Sequence, residues 1–292
     1  MDLLSRQSIS EFIFVSYIFM SFTLIAGIFS ILVIFRYSTK SMAANYKNHL
    51  LNIAITILLS DLCFQFFCRP YVLFPIVGVC MVGSIETAFD QYVDKDVIMR
   101  IASFLQVFAT TSSLAAVSNA TIHRYVITIR LINPLPNVFT QKYFLVGIMV
   151  VLQFLWPLVG CILCLNLQLH SEMAIRENSV IDAHTVAQSQ LHSCFIASTN
   201  VWNALYTVRV TTVISVNGGL CAFGSMVLVI LCWRKLKLAQ VQQSTVSQRT
   251  IALEKQLMFS LGVQAFTPNI MFVVCLLLLI VSFFTETSFS SK

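Results

Sequence analysis

The stretch FIFVSYIFMSFTLIAGIFSILVIF, residues 12–35, runs without a single charged side chain. A helix of about 20 apolar residues crosses a hydrocarbon layer of about 30 Å, so this run is long enough to span a bilayer. Five further apolar runs follow at Leu50–Phe67, Ile101–Ile122, Tyr143–Asn166, Val210–Trp233 and Leu257–Phe284. All six are expected to be helices, because in lipid only a helix or a closed barrel satisfies its own backbone. The composition agrees: 58% hydrophobic and 10% charged residues suit lipid-facing helices and are rare in a water-soluble domain. The expected architecture is an all-α membrane protein, a single transmembrane helix bundle over residues 1–292, and the soluble-enzyme classes fall away.

No cleavable signal peptide is read at the amino terminus, since the first run is longer than a signal core and no A-x-A-like site follows it. Orientation comes from the basic residues beside the spans. Three loops on one side carry Arg36, Lys40 and Lys47, then Arg124, Arg130 and Lys142, then Arg234, Lys235, Lys237, Arg249 and Lys255. By the positive-inside rule that side is cytoplasmic and the amino terminus is outside. The net charge of +6 therefore reflects topology and gives no reason to invoke nucleic acid. After Phe284 only Thr285 to Lys292 remain, too few for another span, so six spans are expected, with the carboxyl terminus outside.

Seven of the nine cysteines lie in or beside spans, where a thiol behaves as a small apolar group. Cys80 and Cys194 alone fall clearly on the oxidising side. A disulfide between them would pin the second outer loop to the segment after the second span. Cys161 and Cys164 are one turn apart in an apolar helix, a spacing that favours packing over ligation, and no metal or other cofactor is implied.

The third span is the least apolar. Ser103, Gln106, Thr110, Ser113 and Thr121 recur on one face, with Asn119 nearby. Polar and small residues on a spanning helix usually face other helices, so this helix is expected to be central. Its polar stripe either packs against neighbours or lines a ligand cavity with Ser103, Gln106, Thr110, Asn217 and Asn269. At its inner end stands His123-Arg124-Tyr125, where an arginine at the membrane boundary reaches water or a partner's helix, or simply snorkels.

Asp61 lies roughly 17 Å into the second span, a depth at which an acid is paired, neutral or functional. Hydroxyl and amide groups of the third span are its expected partners. Arg69 comes near the outer interface, where snorkelling is the first expectation and attraction of an anionic ligand the second. Pro70 and Pro75 break the helical ladder, so the apolar run from Tyr71 to Gly78 is expected to bend over the helix tops and not to form another span. Pro268 near mid-membrane in the sixth run, and Trp156-Pro157 in the fourth, are candidate hinges; Asp61 and Pro268 are the switch or hinge candidates.

Three stretches resemble the nematode seven-transmembrane chemoreceptors, and most closely serpentine receptor class h or its relatives in the Str-like superfamily. Leu50-Leu51-Asn52, then Asp61-Leu62, then Arg69-Pro70-Tyr71-Val72-Leu73-Phe74-Pro75 is similar to that family's second span. Ser247-Gln248-Arg249-Thr250 through Leu253-Glu254-Lys255-Gln256-Leu257 to Gln264 and Pro268 resembles its last inner loop and sixth span. His123-Arg124-Tyr125 sits where the family carries its basic-aromatic motif.

The resemblance covers most of Leu50 to Pro268. It implies a rhodopsin-like G-protein-coupled receptor bundle that binds a small chemical cue outside and activates a heterotrimeric G protein inside, in the ciliary membrane of sensory neurons. The G-protein-facing residues would be His123, Arg124, Tyr125, Arg234, Lys235, Lys237 and Arg249. The chain departs from the family in lacking the last helix and cytoplasmic tail, so a truncated, non-signalling receptor product is the first alternative. A small-solute transporter or channel ranks below it, since no paired halves with broken helices are found. An intramembrane enzyme ranks lower still: the spans hold no H-E-x-x-H, G-x-S-x-G or paired acids.

Overall fold

The computed structural model describes residues 6–37, 44–73, 78–89, 91–132, 142–165, 193–196, 219–221, 223–238, 252, 255–256, 258–263 and 266. Helix α1 (Arg6–Tyr37) is followed by α2 (Ala44–Leu62), which continues into a π-helical turn (Cys63–Cys68). Strands β1 (Pro70–Leu73) and β2 (Gly78–Met81), the short helix α3 (Ser84–Phe89) and the long helix α4 (Lys95–Ile132) come next. Then come α5 (Lys142–Val150), a second π-helical turn (Val151–Leu155), α6 (Trp156–Leu165), β3 (Ser193–Ile196) and α7 (Gly219–Leu238).

Among the described residues four helices are long and apolar enough to cross a membrane: Ile9–Arg36, Lys47–Cys68, Val97–Ile129 and Gly219–Leu238. A shorter apolar helix spans Val146–Val159. They coincide with the first, second, third, fifth and fourth apolar runs. Most of the sixth run, Leu257–Phe284, lies outside the described residues.

Phe14, Phe22, Ile25 and Phe29 stand exposed on α1. An apolar surface of that kind is a liability in water and a requirement in lipid. The opposite side of α1 runs antiparallel to α2. The Arg69 guanidinium lies 4.2 Å over the Tyr17 ring, Gly27 faces Leu58, and Lys47 Nζ lies 5.1 Å over the Phe35 ring.

Helix α4 is the hub, as its small and polar residues predict: it touches α2, α3, α5, α6, β3 and both π-helical turns. Ala115, Ala116, Ala120 and Thr121 are fully or almost fully buried on it, and such small side chains let neighbouring backbones come close. Two apolar clusters form around it. Toward its start, Cys68, Met81, Ile85, Ile98, Met99 and Ala102 pack together. Toward its end, Ala116, Val117 and Ala120 pack with Ile53 of α2, Cys232 and Leu236 of α7, and Met258 and Leu261, with Tyr125 against them.

The described residues of the apolar run after the second span form strands and not a helix. β1 and β2 pair antiparallel, with Tyr71 opposite Cys80, and β3 adds to β2 with Cys194 opposite Cys80. Pro70, which lacks the donor a helix needs, opens β1, and the expectation that this run forms no further span holds in a more ordered form than a bend. The three-stranded sheet, order β1-β2-β3, sits at the end of the bundle where α1 begins, since Phe12 and Tyr71 meet edge-to-face at 5.1 Å.

Candidate functional site

At the sheet end, the π-helical turn of α2 closes with unusual chemistry. Arg69 N–H donates to the Phe64 carbonyl at 3.0 Å, and Arg69 takes left-handed backbone angles at φ 43°. Glycine is the ordinary residue there, and a side chain in that region costs about 1–2 kcal/mol. Its Nε donates to the Gln65 carbonyl at 3.0 Å, and the Ser84 hydroxyl donates to Phe66 at 3.2 Å, so carbonyls that a helix end leaves orphaned find donors. Arg69 does not snorkel: it is 4% exposed, with its cation over Tyr17.

Cys80, fully buried in β2, is disulfide-bonded. Cys63, Cys68, Cys161, Cys221 and Cys232 are free. The thiols of Cys68 and Cys161 donate to α4 carbonyls, to Ala102 at 3.3 Å and Phe104 at 3.5 Å, so Cys161 packs as its apolar setting predicts.

Mid-bundle, the polar groups that join helices are not the ones the stripe on the third span singled out. Ser103 and Gln106 are half-buried and Thr110 is exposed; Asn217 and Asn269 lie outside the described residues. Ser113 donates to Thr110 and Thr121 to Val117, so these hydroxyls bond back to their own helix. Among the described residues of α4, the side chains of Ser118 and Asn119 bond to other helices. Ser118 Oγ lies 2.8 Å from Ser225 Oγ and donates at 2.9 Å to the Cys221 carbonyl, tying α4 to α7; Asn119 donates to Met149 at 3.3 Å, tying α4 to α5.

A reciprocal amide pair links α2 to the second π-helical turn. Asn52 Nδ2 donates to Gln153 Oε1 at 2.8 Å, and Gln153 Nε2 returns a bond to Asn52 Oδ1 at 2.9 Å. The turn has a local cause. Pro157 has no N–H, and its ring would crowd the carbonyl four residues back, at Gln153. The helix widens there instead, Trp156 N–H donating to Val151, and the wider turn carries Gln153 inward to Asn52. Trp156-Pro157 reads as a hinge in the sequence; here it is a device for placing an amide. Asn52→Ala or Gln153→Ala is expected to cost about 1–2 kcal/mol by stranding the partner, and a double-mutant cycle read by thermal unfolding in detergent should return a coupling of about 1 kcal/mol. Additive losses would show that the pair is not energetically linked.

Asp61 is half-buried and, among the described residues, makes no hydrogen bond or ion pair, so its expected partners on the third span are not found there. Pro268 lies outside the described residues.

At the far end His123 and Arg124 are 7% and 6% exposed, and neither reaches freely into water. The His123 ring meets His49 of α2 at 4.4 Å between centroids. Tyr125 packs against the cluster that holds Cys232 and Leu236. Beyond those two, Arg234, Lys235 and Lys237 stand exposed at the end of α7; Arg249 lies outside the described residues.

A central polar-studded helix, apolar-surfaced neighbours and a sheet at one end define a multi-pass helical membrane protein. The family model described as Serpentine type 7TM GPCR chemoreceptor Srh matches residues 7–291, nearly the whole chain, and the chain belongs to that family. It is a family of chemosensory receptors and not of enzymes. A search of the curated proteins finds no match.

Proposed function

We propose that this chain is a chemosensory receptor of the plasma membrane, in the ciliary membrane of sensory neurons, that binds a small chemical cue at its sheet end and activates a heterotrimeric G protein at its far end. The sheet end with the amino terminus faces outside. Two independent arguments support this: the basic residues gather at the other end, and a disulfide persists in an oxidising compartment. Cys80 bonds to Cys194, its register partner, so the second outer loop is clamped to the hairpin.

The observation that carries the reading is the burial of Arg124, whose two neighbours in sequence pack against α2 and against the α7 cluster. His49 of α2 covers its neighbour His123, and the α7 residues Cys232 and Leu236 belong to the cluster that Tyr125 joins. In this packing Arg124 is withheld while Arg234, Lys235 and Lys237 are already offered. A cue that favours a second packing, with α7 displaced, uncovers Arg124 and completes a basic surface for the G protein. The polar links from Ser118 to Ser225 and to the Cys221 carbonyl, which tie α4 to α7, are where such a shift would be resisted.

Arg124→Ala is expected to abolish the cue-evoked G-protein response at equal surface expression, measured in host cells that respond to a chemical panel through the intact receptor. A response of unchanged size and sensitivity would remove Arg124 from the coupling step.

A further inference from the structure

We propose that Arg69 recognises an oxyanion, and that the cue carrying it is a small soluble carboxylate with an apolar body. The inference rests on the receptor reading, whose ligand class it names.

The observations concern a charge buried without a counter-charge among the described residues. Arg69 is 4% exposed, and among the described residues it forms no ion pair. Its Nε is used by the Gln65 carbonyl, and one face of the guanidinium by the Tyr17 ring. Its Nη2 is buried and has no hydrogen-bond partner among the described residues; neither has Oε1 of Gln65 on the same turn.

Taking a cation out of water costs several kcal/mol unless an anion or a full set of acceptors answers it. A ring face answers part of that charge and leaves the N–H donors unanswered. The guanidinium fork matches the two oxygens of a carboxylate, the geometry in which arginine binds best. The backbone adds weight. Position 69 holds a left-handed conformation that glycine would take without strain, yet it carries the longest cationic side chain, turned back over α1. A strained position in a buried polar setting is where function is commonly kept.

The Tyr17 ring against the guanidinium supplies apolar surface, and Phe12, about one and a half turns before Tyr17 on α1, meets Tyr71, two residues after Arg69, edge-to-face. A carboxylate with a short hydrocarbon body satisfies both halves. A lipid headgroup offers the same oxyanion, but it meets cations that reach the membrane surface, whereas Arg69 is 4% exposed and its carbonyl is held by Val82 N–H at 3.1 Å.

The test uses the full chain in nanodiscs of neutral phosphatidylcholine, with thermal unfolding as the readout. Hexanoate is expected to raise the midpoint saturably, and hexanamide, of the same shape without the charge, to leave it unmoved. Arg69→Gln should weaken hexanoate by at least about tenfold, and Arg69→Lys, which keeps the charge but not the fork, by less. If Arg69→Gln does not fold, the comparison of hexanoate with hexanamide on the intact chain still decides. Equal effects of acid and amide, or no effect of either, overturn the proposal. Stabilisation by phosphatidylglycerol in the nanodisc with none from hexanoate also overturns it, in favour of a lipid site. Because unfolding is read without a G protein, hexanoate binding that persists while the Arg124→Ala receptor signals normally would sink the coupling mechanism and leave this site standing.

Discussion

Gly83→Ala is expected to leave almost no correctly folded receptor at the cell surface. A Cβ built on Gly83 would overlap the Phe67 carbonyl oxygen and lie 2.6 Å from its carbon and 2.7 Å from the Cys68 carbonyl carbon. These are backbone atoms of the π-helical turn, so no side chain can swing aside. The segment is also held on both flanks, by Val82 N–H on the Arg69 carbonyl and by the Ser84 hydroxyl on the Phe66 carbonyl. Relief therefore requires the hairpin to separate from α2. Overpacking of a rigid site costs about 3 kcal/mol or more, a large share of the stability of any single bundle. Gly147→Ala is the matched control: its Cβ would meet nothing within 4 Å, and alanine favours a helix by about 1 kcal/mol over glycine. Surface expression and the monodisperse fraction on size exclusion in detergent compare the two. Equal behaviour would show that the turn and hairpin are not in the close contact described.

Cys80→Ser is expected to cost about 2–5 kcal/mol and to make the sheet end susceptible to proteolysis. Cys80 is completely buried, so the change removes a covalent link and leaves a hydroxyl without water. The proposed partner makes a sharper prediction. Cys194→Ser should match Cys80→Ser in size, and the double substitution should be no worse than either, because one bond is lost in all three. Peptide mapping under non-reducing conditions should recover the 80–194 linkage. A harmless Cys194→Ser beside a damaging Cys80→Ser would assign the bond to another cysteine.

The loss should also report on orientation. A reductant that does not cross membranes, added to intact cells, should lower the stability of the wild-type chain to that of Cys80→Ser. Protection from such a reductant would place the sheet end on the inner side and reverse the topology proposed above.

Much of the bundle is legible in one dimension. Residues 12–35 announce a span because lipid solvates no charge, and the same rule finds the runs that become α2, α4, α7 and the α5–α6 segment. The centrality of α4 is also visible, since serine, threonine and alanine gathered on an apolar helix mark contact with other helices. Which of those residues make the contact is not visible. Ser103, Gln106 and Thr110 stand on a plausible face, but the bonds between helices are made by Ser118, Asn119, Ser225 and the pair Asn52–Gln153. A hydroxyl on a helix can bond back to its own carbonyls, as Ser113 and Thr121 do, so which polar residues reach a neighbour is decided only when the helices pack.

Hydropathy and the local chemistry of Pro70, Pro157 and the charged residues determine by themselves that this chain crosses a membrane several times, where its helices break and which ends are basic. These are short-range properties, set by whether each residue can pay its own solvation cost in lipid. The tertiary structure alone decides that the residues on either side of Pro75 pair as strands, in a register that sets Cys80 opposite the Cys194 already singled out by sequence, and that Arg69 and Arg124 are covered. Burial of a cation depends on what a distant segment lays beside it, Tyr17 in one case and the packing of its neighbours His123 and Tyr125 in the other, and no spacing along the chain records that register.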